Sequence, residues 1–243
     1  MASTFYILPA RINKFMHCRQ PSSGSVLSFL YGLWLRTTYP FARIGRGLSI
    51  HFTTSLPRPT APLIRIGNGV VIEKDGQVHV RVNLGDHADP VVLIDDRCVL
   101  GRRSTISAKK HIHLESNVIV GPLVLIQDHT HAYANVSLPI RDQGTSEGGI
   151  IRIGRNCSIG RGAVIHCGTG ELTIGPDCII EPNALVIRSF PECSIIAGNP
   201  ARVVGQVSRK GTAPDLCSSV VNGVSAAYDR LSTQNLRPVL ARR

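Results

Sequence analysis

Along the middle of the chain an aliphatic residue followed by Gly or a polar residue recurs every six positions. One file runs Ile94, Leu100, Ile106 and Ile112; after a change of register come Leu114, Val120 and Ile126, then Ile153, Ile159 and Ile165, then Ile174, Ile180 and Val186. A second file of small residues lies four positions after the first: Cys98, Ser104, Val118, Val124, Cys157, Ala163, Cys178 and Ala184. Short strands that turn one large and one small side chain inward predict a narrow prism of flat stacked layers, as in solenoids. Gly follows the aliphatic residue at Gly101, Gly121, Gly154, Gly160 and Gly175, the placement expected of a tight turn at each corner. Lys110 breaks the small file and marks an irregular coil.

Two interruptions predict loops. Ile165 to Ile174 is nine residues where six are expected, an insertion of three around Gly168 to Gly170. The larger break, from Asp128 to Arg152, carries His129 and His131 and no hexad, and is read as an excursion from the wall. Before the repeat, Val26 to Leu35 is apolar and predicts a short helix from about Ser23 to Leu35, either packed on the open end of the prism or docked to a lipid surface through nearby Arg11, Lys14, His17 and Arg19. After Val207 the hexads stop; the tail turns to Ser, Thr, Asn and Arg, with Val220 to Leu231 as a possible short helix. The division is therefore an N-terminal extension (1–43), a repeat domain (44–207) and a C-terminal tail (208–243).

Composition narrows this picture. With 243 residues, 43% hydrophobic and 5% aromatic, the chain can bury a core of small aliphatic side chains, which disfavours a helical bundle. The net charge of +11 favours anionic partners, but the basic residues are thinly spread without aromatic interleaving, so no nucleic-acid partner is expected. Seven scattered cysteines without a C-x-x-C pair indicate neither a disulfide framework nor a zinc ribbon and fit a reducing cytoplasm. Cys98, Cys157 and Cys178 read as inert core thiols rather than ligands or nucleophiles. No apolar run reaches the roughly 20 residues that span a bilayer.

The tandem aliphatic-Gly hexads ending in Ile196-Ala197-Gly198-Asn199-Pro200-Ala201-Arg202-Val203 resemble the hexapeptide-repeat acyltransferases, in particular their sugar and polysaccharide O-acetyltransferase branch. The likeness covers about Ile94 to Val204 well and Ile44 to Val82 weakly. It implies an all-β, left-handed parallel β-helix, a homotrimer with sites between subunits, and acetyl transfer from acetyl-CoA to a sugar or glycan hydroxyl, without a metal. A cytoplasmic enzyme is expected from the cysteine usage, peripheral at the inner face of a membrane if the N-terminal segment docks to a lipid-linked glycan there.

The segment Asp128-His129-Thr130-His131-Ala132-Tyr133 resembles the D-H-x-H-x-Y stretch in which a histidine acts as general base on the acceptor hydroxyl. Imidazole suits that task because it titrates near working pH. Either His131 or His129 is the base; in an extended segment both would face the same way. Asp128 either orients an imidazole or makes a local backbone bond. The resemblance implies a pantetheine groove along Gly160, Arg161, Ala163 and Pro182, continuing to Ile187 and Arg188, with Arg202 on the 3′-phosphate; Arg188 and Arg202 could equally be solvated corner residues. Arg161 and Pro182 stand where relatives often have small residues, and Pro182 offers no N–H. Direct transfer is expected over an acyl-enzyme, since no Ser or Cys is placed beside the histidines. Two alternatives are a non-catalytic β-helix scaffold and a metal lyase resembling the γ-class carbonic anhydrases, which would draw on His111, His113, His129, His131 and His166.

Overall fold

Each aliphatic residue of the hexad file points into a three-sided prism, and the register of the strands shows why the files are so regular. On the first face Ile44, Ile66, Ile94, Leu114, Ile153 and Ile174 stack in one column. Ile50, Ile72, Leu100, Val120, Ile159, Ile180 and Ile196 stack on the second. On the third the column is Val78, Ile106, Ile126, Ile165 and Val186. In the computed structural model, which describes residues 26–82, 89–207 and the backbone of 215–216, the three walls are parallel sheets and the chain is a left-handed parallel β-helix. Nearly every column residue is sealed from solvent, as is the small-residue file from Cys98 to Ala184. The hexads before Ile94, faint in sequence, form complete coils, with Ile50, Ile64 and Ile66 fully buried.

The glycine after the aliphatic residue has a different purpose from the one expected. The left-handed backbone conformation of each corner falls two residues later, at Gly47, Gly69, Asn117, Asn156, Asp177, Asp75, Gly162 and Asn183, and also at Arg97, Arg103 and Leu123. Asn, Asp and Gly tolerate that conformation best. Glycine directly after the aliphatic residue is required because coils touch there. A Cβ on Gly160 would lie 2.5 Å from the Pro182 nitrogen, and one on Gly121 would lie 2.7 Å from the Ile159 oxygen.

The core cysteines are packing residues. Cys98, Cys157 and Cys178 each donate to a carbonyl of the next coil at 3.1 Å, those of Glu115, Gly175 and Pro191. Burial pushes the Cys98 thiol up to about 11.

Helix α1 (Val26–Thr38) runs three residues beyond the expected end at Leu35 and lies against the first strand of the second face. Leu35 is its fully buried anchor, and Trp34, Tyr39 and Phe41 form a run of ring contacts beside it. Leu27, Leu30 and Leu33 stay exposed. Residues 1–25, with the basic positions preceding the helix, and the possible helix at 220–231 lie outside the described residues. No described helix is long and apolar enough to cross a membrane. At the other end the A-G-N-P-A-R ending departs from the hexad. Ser194–Gly198 turns through Asn199 and Pro200 into the antiparallel strand Ala201–Gln206, so the motif caps the second sheet with a hairpin.

Candidate functional site

The strand Leu125–Gln127 turns Ile126 inward and Gln127 outward, so the next residue, Asp128, points inward where an apolar side chain would be ordinary. Asp128 is fully buried, which an unpaired carboxylate would not tolerate. Its Oδ1 accepts the Lys109 backbone N–H at 2.7 Å, and its Oδ2 accepts those of Lys110 and His111 at 2.8 and 3.0 Å. These donors belong to the turn of the preceding coil. The step from Ile106 to Leu114 is eight residues rather than six, and the two additional residues let that turn close around the carboxylate. The irregularity at Lys110 is thus the socket of Asp128.

His129 donates from Nδ1 to the free flank of Asp128 Oδ1 at 3.0 Å. With a proton on Nδ1 the neutral ring keeps a lone pair on Nε2. His129 is only 6% exposed, and its Nε2 makes no hydrogen bond to the described residues; it is not among their sealed, unpartnered polar atoms, of which Thr54 Oγ1 is the one instance. An aspartate that fixes the tautomer and orientation of an adjacent imidazole is the arrangement a general base needs.

The excursion leaves the wall at Asp128 and rejoins it at Gly149, so Ile150–Ile153, expected to belong mostly to the loop, is a strand of the first face. Its two arms run antiparallel. Thr130 and Ser146 exchange hydrogen bonds at 2.8 and 3.1 Å, and His131 bridges Thr145. Lys109 Nζ clamps the returning arm through the Thr145 carbonyl and hydroxyl and the Ser146 carbonyl at 3.3, 2.9 and 2.6 Å. His131 is exposed and its ring makes no hydrogen bond to the described residues. The two histidines therefore occupy different environments rather than a common face. Gln143 braces the tip by bonding Asn135 and Leu138, leaving Tyr133, Val136, Leu138 and Ile140 outward.

The residues expected to hold a cofactor are divided among the edges of the prism. Gly160, Arg161 and Pro182 share the edge between the second and third faces. Pro182 costs the wall no bond there, because the second residue of a corner has an outward N–H: Arg46 and Arg102 spend theirs on side chains. Ala163 has its side chain in the core and its carbonyl bonded to Leu125 N at 3.1 Å. Ile187 and Arg188 lie on the edge between the third and first faces, the same edge as His129 but two coils on, with Arg188 over the Phe190 ring at 5.4 Å. Arg202 is exposed on the terminal hairpin opposite Ala197. Within one chain, then, His129 and the Gly160 edge are separate. Among the described residues no three His, Cys, Asp or Glu side chains are grouped so as to hold a metal ion. Lys109 was missed by sequence reasoning; the eight-residue step beside it was its signal.

No family model matches the chain. A probable acetyltransferase of Mycobacterium tuberculosis is 31% identical over 161 residues, covering 66% of this chain and 48% of its own. WbbJ of Escherichia coli, named for lipopolysaccharide biosynthesis as an O-acetyl transferase, is 25% identical over 120 residues, covering 47% of this chain and 60% of its own. The chain thus spans about half the length of the first relative and under two thirds of the second. A crystal structure of AntD, an N-acyltransferase from Bacillus cereus, in complex with dTDP and 3-hydroxybutyryl-CoA superposes with a TM-score of 0.57 at 15% identity, covering 78% of this chain and 93% of that one. That likeness establishes the fold.

Proposed function

We propose that this chain, a left-handed β-helix protein of the hexapeptide-repeat acyltransferase type with acetyltransferases among its sequence relatives, moves an acetyl group from acetyl-CoA to a hydroxyl of a sugar or glycan precursor. The observation that carries the reading is the Asp128–His129 pair, 3.0 Å apart in a socket built by an interruption of the repeat. His129 Nε2 takes the proton of the acceptor hydroxyl as its oxygen attacks the thioester carbonyl, and CoA leaves as the thiol. Such general-base help is worth about 10²–10⁴ in rate. Asp128 holds the ring and balances the imidazolium that forms. The thioester is itself activated and the core thiols are sealed, so transfer is direct.

The edge carrying Gly160, Arg161 and Pro182 receives the pantetheine arm, with Arg188 or Arg202 near the phosphates. Because His129 and that edge are apart in one chain, a site that uses both is assembled from two copies, which supports a homotrimer with sites between subunits. The enzyme works in the cytoplasm in polysaccharide biosynthesis, with the exposed leucines of α1 available to a membrane that presents a lipid-linked acceptor.

The test is acetyl incorporation from labelled acetyl-CoA into a panel of sugars, nucleotide sugars and lipid-linked glycans, with His129→Ala beside the wild type. Incorporation that falls by 10² or more in the variant is expected. Equal incorporation by both proteins would refute the assignment of the base.

A further inference from the structure

Helix α1 closes the first coil of the prism with one face only. Leu35 enters the core, with Tyr31, Tyr39 and Phe41 packed against the same cluster. The terminal element of a stacked fold ordinarily turns a polar face outward, which keeps the end of the stack soluble. Here the outward face is apolar. Leu27, Leu30 and Trp34 follow one another at helical spacings of three and four, Leu33 lies beside them, and the four are 47–60% exposed. Trp34 is no loose side chain, since its ring rests on those of Tyr31 and Tyr39 at 5.6 and 5.3 Å between centroids.

The charge around this face has a single sign. The first 72 residues hold eight of the 27 Lys and Arg and none of the 16 Asp and Glu; the first carboxylate of the chain is that of Glu73. Arg36 stands on the helix, Arg43 and Arg46 on the first coil, and Arg58 at the start of the 3-10 turn Arg58–Leu63, all four exposed. None of them forms an ion pair among the described residues. Asp96, two coils further on, feels the charge of Arg43 without pairing with it.

These two features together select the occupant. A second copy of the chain would bring like charges face to face. A bilayer with anionic headgroups meets both demands: leucines and tryptophan enter the boundary between headgroups and acyl chains, and the flanking cations meet the lipid phosphates. At 13 residues α1 is too short to cross, so it lies in the plane of the surface.

We propose that the first coil and α1 form a docking surface for an anionic lipid bilayer, with Leu27, Leu30, Leu33 and Trp34 inserted and the four arginines on the headgroups. This deepens the transferase reading and rests on it only for its purpose, bringing the enzyme to a lipid-linked acceptor; the binding itself does not require it.

Trp34 is the one tryptophan of the chain, so its fluorescence reads this face directly. The full chain is titrated with vesicles of phosphatidylcholine alone, with vesicles of phosphatidylcholine carrying phosphatidylglycerol, and with polyglutamate as a soluble anion. The proteins are wild type, Arg43→Gln/Arg46→Gln, Leu27→Gln/Leu30→Gln, and Arg141→Gln as a control that removes one exposed charge from the loop tip; circular dichroism verifies that each is folded. The expected result is saturable binding to the anionic vesicles with a blue shift of Trp34, about tenfold or more tighter than to phosphatidylcholine alone and weaker at high salt. The arginine pair should weaken it by about fivefold or more, the leucine pair should weaken it and reduce the shift, and Arg141→Gln should leave it unchanged. No vesicle binding, equal binding to both vesicles, binding without a shift of Trp34, or equal loss in Arg141→Gln would overturn the proposal. So would the same blue shift with polyglutamate, which assigns the face to an acidic protein, or a shift that grows with protein concentration alone, which assigns it to a second copy. His129→Ala separates this surface from the transferase reading, because it is expected to abolish transfer while leaving vesicle binding unchanged. Vesicle binding by a wild type that transfers nothing would sink the transferase reading alone; transfer to a soluble sugar without vesicle binding would sink the docking surface alone.

Discussion

Replacing Asp128 by asparagine separates the two tasks of this side chain. The carboxylate serves four donors: Lys109 N–H and His129 Nδ1–H on Oδ1, Lys110 and His111 N–H on Oδ2. An amide has one oxygen and one NH₂ group and can be placed in two ways. With the oxygen toward Lys109 and His129, the NH₂ group meets two backbone N–H groups, and both lose their acceptor. With the oxygen toward Lys110 and His111, only Lys109 N–H is orphaned, because the amide can donate to His129 Nδ1. The second orientation is cheaper by one buried unsatisfied donor, about 1–3 kcal/mol. It has a chemical consequence, since an Nδ1 that accepts forces the ring proton onto Nε2, where the base should be. Asp128→Asn is therefore expected to fold with about 1–3 kcal/mol less stability, a melting temperature lower by roughly 2–12 °C at 2–4 °C per kcal/mol, and a kcat lower by about 10²–10⁴. Thermal unfolding followed by circular dichroism and CoA release followed with a thiol reagent give both quantities. Wild-type kcat in a protein that has lost the expected stability would refute the reasoning, because it would mean that Asp128 does not set the tautomer.

Other substitutions test neighbouring parts of the account. His131→Ala, which removes an exposed ring without a hydrogen bond, is expected to lower kcat less than tenfold, against the 10²-fold or greater loss in His129→Ala; the reverse order would move the base to His131. Gly160→Ala places a Cβ 2.5 Å from a backbone nitrogen of the next coil and is expected to cost about 1–3 kcal/mol in a denaturant titration, whereas an unchanged midpoint would contradict the close-approach role of that glycine. Burial, followed by the charges of Arg152 and His113, holds His111 below its ordinary value of 6.5. The unfolded chain then binds the proton more readily, so this contribution to stability is whole above pH 6.5 and is lost as pH falls through the lower folded value. His111→Gln should flatten the acid slope of stability against pH, and an unaltered slope would remove His111 from its origin.

Much of the wall was legible because one geometric demand repeats. Every coil must turn one large and one small apolar side chain inward, and Ile159 or Ala163 announces this in any sequence. The three-residue insertion at Gly168 to Gly170 was visible by the same counting. The corners were less legible: glycine after the aliphatic residue signals contact between coils, and the left-handed positions also accept Arg97, Arg103 and Leu123, which no propensity would choose. The terminal A-G-N-P-A-R hairpin was hidden because a count of hexads carries no signal for a strand that turns back antiparallel.

In the candidate site, the segment from Asp128 to Tyr133 could be singled out from the sequence, whereas the different surroundings of its two histidines could not be read there. Counting rungs places residues along the axis, whereas the distinction between His129 and His131 depends on Asp128 pointing inward to backbone donors some twenty positions earlier. Corner neighbours such as Lys74 and Arg102 escaped for a similar reason, since they are far apart in sequence and meet only through coil stacking.

The central claim is that this β-helix handles an acetylated CoA, and titration of acetyl-CoA into the purified chain, with dephospho-CoA in parallel, tests it without knowledge of the acceptor. The account predicts saturable binding of acetyl-CoA, weaker for the ligand without the 3′-phosphate and weakened again by Arg202→Ala or Arg188→Ala. No binding at millimolar acetyl-CoA would contradict it and leave a scaffold in place of an enzyme.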